Sequence, residues 1–273
     1  EVRRLATQAV ELARGEGVEN LTSRALIALG GALFLRDPAE AEKYYTAALT
    51  TARRNRAQLT EARAQLALGS LYSFTGQPVR AVTVLKPAAD FFERGGYPAD
   101  AFRASILLGR TQRDAGDYTG AERVFRALLP GVEKSGSKEE QALVRDAMGQ
   151  VLACRGSLRA AEREFAESER LYGEAKSATG EAYAWLSRAG VLWQLGETRE
   201  AEELLKQVEA AAAKSGNEDL SRLSGMERAA MALSKGRGAE ARRLSESIKE
   251  AEAPRDRLVV GVLSAKAMGA GGL

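Results

Sequence analysis

Histidine is absent from this chain of 273 residues, and cysteine occurs once, at Cys154. Without imidazole there is no histidine-based general acid or base, no Ser-His triad and no histidine metal site. A lone cysteine excludes an intrachain disulfide and a cysteine-rich zinc site. No stretch approaches the roughly 18 uninterrupted apolar residues of a membrane span. Nothing matches a phosphate-binding loop or a dinucleotide fingerprint. An excess of one charge is missing too: 40 Lys plus Arg against 37 Asp plus Glu leave +3, too little for a nucleic-acid footprint without a concentrated patch. The expectation is a non-enzymatic chain that needs no cofactor or metal, meets neither nucleic acid nor membrane, and works in a reducing, cytoplasmic setting. Glu1, Arg3 and Arg4 already sit in an amphipathic pattern unlike a signal segment, which reads as a piece of a longer protein.

What the chain does have is enough apolar sequence to bury a large core, 45% of residues, and a repeat. Gly76, Gly116, Gly156, Gly196 and Gly236 stand forty residues apart, and five residues after each comes Ala81, Ala121, Ala161, Ala201 or Ala241, with Ala41 in the same phase. Seven residues before the turn glycines stand Gly69, Gly109 and Gly149, then Ala189 and Ala229. This reads as a helix, a turn at a glycine in the left-handed conformation, and a second helix folded back, with small residues where the two backbones approach. Pro38 and Pro78 fall where proline starts a second helix. Apolar residues three or four apart, as in Ala121, Phe125 and Leu128, mark helix faces and no strand. A helical bundle needs no such register and a coiled coil needs a sustained heptad, so the fold class is an all-α, right-handed α-solenoid of antiparallel helical hairpins. Pro87 and Pro130 lie inside second helices, where kinks or early endings are expected.

At these residues the chain resembles the tetratricopeptide repeat (TPR) family. The second unit carries Leu68-Gly69, Tyr72, Gly76, Ala81, Leu85 and Ala88, the third Gly116-Asp117-Tyr118 and Phe125, and the fifth Trp185, Gly196 and Ala201. The fifth unit departs from the family pattern with Arg188-Ala189 in place of Leu-Gly, which implies looser packing there. The unit of forty residues against the family's usual 34 implies longer helices or longer connections, and long units of this kind resemble those of kinesin light chains and of bacterial signalling receptors and activators. One repeat domain is expected over 1–273, with units of about 22–60, 61–100, 101–140, 141–180, 181–220 and 221–254, and half hairpins at 1–16 and 255–273. The last unit, with its glycine-rich tail, is expected to be the least ordered.

The resemblance implies that the first helix of each hairpin lines a concave groove. Its exposed stripe lies six and three residues before the small residue and one, four and five after, positions that share a helical face. That stripe includes Arg63 and Phe74, then Arg103, Ile106, Arg110, Arg113 and Asp114, then Asp146 and Gln150, then Tyr183, Trp193 and Gln194. Four arginines followed by an aromatic and polar wall suit an acidic, extended peptide, because the guanidinium fork pairs with carboxylates and aromatics anchor apolar residues. Against this stands the plain alternative that the arginines pair with local acids and the aromatics fill gaps between hairpins. Glu162, Glu164, Glu167 and Glu169, interspersed with Arg159, Arg163 and Arg170, read as a solvated helix face, not as catalytic carboxylates. The lysines and asparagines of the family's clamp for a free C terminus are missing from the stripe, which disfavours chaperone-tail binding.

The functional expectation is a protein-interaction scaffold that binds a peptide or protein segment in its groove, as a module of a larger bacterial signalling or regulatory protein. The alternatives are an intramolecular sensor or autoinhibitory arm of a multidomain kinase or transcription factor, and a homo-oligomerisation module; composition leaves the oligomeric state open.

Overall fold

The structure, a computed structural model, describes residues 19–248 together with residues 4, 7, 8 and 11. The expected half hairpins at 1–16 and 255–273 and the glycine-rich tail lie outside the described residues, those four positions apart. The described chain is all-α, with no strand among its residues. Its helices are α1 (Glu19–Leu33), α2 (Pro38–Arg54), α3 (Gln58–Phe74), α4 (Pro78–Arg94), α5 (Pro98–Asp114), α6 (Tyr118–Ser135), α7 (Lys138–Cys154), α8 (Leu158–Glu174), α9 (Ala178–Gln194), α10 (Thr198–Ser215), α11 (Glu218–Ser234) and α12 (Gly238–Ser247). Odd-numbered helices open hairpins and even-numbered ones close them. The chain divides into two compact units, Glu1–Val124 and Phe125–Leu273, with the division inside α6.

One turn geometry recurs at twice the frequency expected from the glycines. Left-handed residues stand at Arg56, Gly76, Gly96, Gly116, Gly136, Gly156, Lys176, Gly196, Gly216 and Gly236, twenty residues apart. Turns within hairpins and turns between hairpins are therefore alike. In most of them the amide following the left-handed residue reaches back five residues, as in Gln77 N–H to Tyr72 O at 2.7 Å and Asp117 N–H to Gln112 O at 2.8 Å. This bond consumes a carbonyl that the helix end leaves orphaned. The extra length of the repeat lies in the helices: α3, α4 and α5 have 17 residues each, joined by residues 75–77 and 95–97. Start signals complete the ends, with Asp37, Ser137 and Asn217 side chains accepting from the amides of Glu40, Glu140 and Leu220.

The phase of small residues is a packing code. Ala41, Ala81, Ala121, Ala161, Ala201 and Ala241 are all fully buried. Each faces a first helix from the second, and the space beside it is filled by Tyr45, Leu85, Phe125, Phe165 or Leu205, all buried. A Cβ built on Gly149 would come within 2.7 Å of Phe165 Cε1, so the glycine is the recess that the ring enters. In the fifth unit Ala189 is fully buried, and Arg188 is no defect. Its guanidinium reaches Glu162, Glu169 and Glu200 at 3.0, 3.0 and 2.9 Å. An ion network replaces the expected leucine.

Pro87 and Pro130 end neither α4 nor α6. Both are exposed, so the carbonyls they strip of a partner are open to water. Buried Leu85, Ala88 and Phe92 hold α4 on either side of the proline.

In both units successive first helices touch each other, α1 with α3 and α3 with α5, then α7 with α9 and α9 with α11. Second helices of either unit make no comparably close approach to the next. A stack crowded along one side and splayed along the other curves with the crowded side inside, so the first helices form the inner face of each unit.

Two substitutions test these devices by thermal melting. Gly149→Ala should destabilise the chain by about 1–3 kcal/mol because Phe165 must move. Lys176→Gly should raise the melting temperature, relieving a left-handed side chain that costs about 1–2 kcal/mol, whereas Gly196→Val should lower it by a similar amount.

Candidate functional site

On the inner face the position three residues before the small residue turns into the seam between neighbouring first helices. Ile106, Asp146 and Met226 are buried there, 6%, 7% and 9% exposed. Asp146, expected on an accessible stripe, is thus enclosed, and its carboxylate accepts from Gln150 Nε2 at 2.7 Å. The face left to solvent runs through the positions six before, one after and five after the small residue.

In the first unit this face is basic. Arg63 is exposed and donates to Asp100 at 3.3 Å. Arg113 closes on Asp114, its Nε and Nη2 donating to one carboxylate oxygen at 3.0 and 2.9 Å. Arg103 and Arg110 differ. Arg103 is exposed and has no hydrogen bond or ion pair among the described residues; Arg110 is half-buried, and its Nε is enclosed without a hydrogen-bond partner. Both stand on α5, two turns apart. Phe74 packs against Phe34, in the turn just after the preceding first helix, ring centroids 5.1 Å apart, so it builds the rim of the face from a paired aromatic.

In the second unit the expected aromatic wall is partly structural. Tyr183 is half-buried against the core of Ala182, Val208, Ala212 and Leu220. Trp193 donates from Nε1 to Ser234 Oγ at 2.9 Å, and the Lys235 ammonium lies 4.6 Å above its ring. It bridges the ends of α9 and α11. Gln194 is exposed. The structure therefore places Arg63, Phe74, Arg103, Arg110 and Arg113 on the first unit, and Asp146, Gln150, Tyr183, Trp193 and Gln194 on the second.

One inner-face residue has no signature in the sequence. Glu227 of α11 lies against Gly190 of α9, where a built Cβ would sit 3.0 Å from Glu227 Oε1 and 3.4 Å from Cδ. The carboxylate fills the space that a side chain at position 190 would take. Burial raises its pKa above the ordinary 4.5. The only available signal, a glycine on the stripe, says nothing about what covers it.

The outer carboxylates are spoken for. Glu162 and Glu169 bind Arg188, Glu164 binds Arg145 at 3.2 Å, and Glu167 binds Arg170 at 2.6 Å. This is a paired, solvated helix face. Among the described residues no group of three His, Cys, Asp or Glu side chains is placed to hold a metal ion, and no helix is long and apolar enough to cross a membrane.

No protein-family model matches the chain, and no curated protein matches its sequence. Solved structures do match. The apo form of RapI aligns with a TM-score of 0.68 at 12% identity, over 91% of this chain and 97% of RapI. The Rap conjugation gene regulator of the plasmid pLS20, in complex with the Phr* peptide, gives 0.65 at 17% identity, over 95% and 76%. A tetratricopeptide repeat protein from Parabacteroides merdae gives 0.58 at 17% identity, over 98% and 99%. At these identities the likeness establishes the fold: the chain is a TPR-like helical solenoid.

Glu227 supplies a pH test. Its folded pKa is raised, so ionisation costs the folded state free energy. That cost is absent below the ordinary carboxylate range and sets in as pH rises through it. Glu227→Gln should therefore melt higher than the parent chain at pH 7 and at the same temperature below pH 4.

Proposed function

We propose that this chain is a non-enzymatic interaction scaffold whose inner, first-helix faces bind peptide segments, the face of the first unit taking an extended acidic one. The reading places it as a repeat module of a bacterial signalling or regulatory protein in the cytoplasm. The observation that carries it is the pair Arg103 and Arg110, exposed and half-buried on the inner face of α5 with no carboxylate partner among the described residues. Several arginines elsewhere on the hairpins close on glutamates, as Arg145, Arg170 and Arg188 do. A guanidinium nitrogen enclosed without a partner is costly, and an incoming carboxylate would supply the missing hydrogen bond in a charge-assisted form.

The spacing narrows the ligand. Seven helical residues separate the two arginines by about 10.5 Å along the axis. In a polyproline-like segment, side chains three residues apart share a side and lie about 9.3 Å apart. Acids at every third position of such a segment match the pair. The pLS20 Rap regulator, which has the same fold, was solved with a peptide bound, and this supports a peptide as the class of partner.

The test is affinity selection on the immobilised full chain. The pool consists of acetylated, amidated hexapeptides with glutamate at the second and fifth positions and the rest randomised. Retention should exceed that of the matching glutamine pool by about tenfold, equivalent to about 1.4 kcal/mol. Arg103→Glu with Arg110→Glu should abolish the preference without changing helicity by circular dichroism. Equal retention of both pools by the parent chain would sink the assignment.

A further inference from the structure

We propose that the inner face of the second unit holds a cation subsite, in which the Glu227 carboxylate, lying on the bare backbone of Gly190, receives a guanidinium or alkylammonium group from a peptide. The inference rests on the peptide-binding reading above and names the chemistry of a segment that the second unit by itself would take.

The first support is the contrast among carboxylates. In this unit Glu162, Glu169 and Glu200 hold Arg188, Glu164 holds Arg145, Glu209 holds Arg228, and Glu202 holds Lys235. Glu227, half-buried, has neither hydrogen bond nor ion pair among the described residues. Burying a carboxylate without a partner is unfavourable by an amount that pairing would recover. Burial alone accounts for its raised pKa, with no neighbouring charge contributing.

The second support is shape. Gly190 stands on the open stripe of α9, and the 3.0 Å between its built Cβ and Oε1 shows that a side chain there would crowd the carboxylate by a few tenths of an ångström. Helical spacing puts Leu223 and Ala230 one turn to either side of Glu227, and Leu186 and Trp193 one turn to either side of Gly190. An acid within an apolar collar fits a lysine or arginine, whose alkyl stem lies on apolar surface while its head reaches the charge.

The third support is that the unit's own bases are committed elsewhere. Arg145, Arg188 and Arg228 of α7, α9 and α11 all turn to glutamates, on helices α6, α8 and α10. Lys235 is held by Glu202 and by the Trp193 ring. Among the described residues, none of these bases is left for Glu227, which favours a ligand as the source of its cation.

The experiment uses the full chain and two acetylated, amidated hexapeptide pools, identical except that one carries arginine and the other its neutral isostere citrulline at the third position. The arginine pool should be retained about tenfold better. Glu227→Gln, which relieves a buried charge and leaves the fold intact, should remove that preference, and Gly190→Ala should weaken it. Arg103→Glu with Arg110→Glu should leave it unchanged. Equal retention of the two pools, or an arginine preference that survives Glu227→Gln, would overturn the cation subsite alone, leaving the acidic-peptide result to stand on its own pools. Failure of every pool to bind would remove both readings.

Discussion

Everything in this molecule hangs on a backbone constraint: once every twenty residues the chain must pass through a left-handed conformation. That residue ends one helix, allows the next amide to satisfy a carbonyl five residues back, and is followed two residues on by the start of the next helix. Helices of 17 residues follow directly from this spacing. Because the spacing of the turns is constant, the same helical phase meets the same neighbour each time. A small residue on one helix can then face a large one on the next through the array, as Gly69 faces Leu85 and Gly149 faces Phe165. Arg56 and Lys176 adopt the same conformation without glycine, which shows that tertiary packing imposes it even where the local residue resists.

Curvature then sorts chemistry. Second helices splay and keep their charged side chains in water, where they pair across helices, as in Arg80 with Glu42 at 2.7 Å, and their glutamates also take Arg188 from first helix α9. First helices crowd, and crowding draws one position per turn into the seam between them, so that Ile106, Asp146 and Met226 vanish from the surface. What remains exposed inside is narrow and sparsely charged. On such a face few neighbours compete for an uncommitted arginine or glutamate, and the surrounding apolar surface lowers the local dielectric around it.

The expected site illustrates how far a single helix can be read. Arg103 and Arg110 stand where helical phase put them, on the open inner face. Arg63 and Arg113 do as well, yet their charges are taken by Asp100 and Asp114. Trp193 combines two roles, since its nitrogen and ring are engaged by Ser234 and Lys235 of the next hairpin. Asp146 missed the surface because the phase of α7 alone cannot say on which side its neighbours crowd.

Periodic, local features carried the architecture from sequence alone: glycines forty residues apart, alanines five residues later and prolines at helix starts determine where helices end and which faces meet, since each acts within one or two turns of chain. The intervening left-handed turns at Arg56 and Lys176 escaped that reading because nothing in those side chains favours the conformation. Which charges stay free was decided only by the tertiary structure. Arg188 finds Glu162 at a separation of 26 residues, Trp193 finds Ser234 at 41, and Glu227 meets the backbone of Gly190 from the next hairpin. Such pairings depend on how one hairpin settles against the next, and the packed interior resolves that geometry to a fraction of an ångström, finer than any repeat pattern can encode.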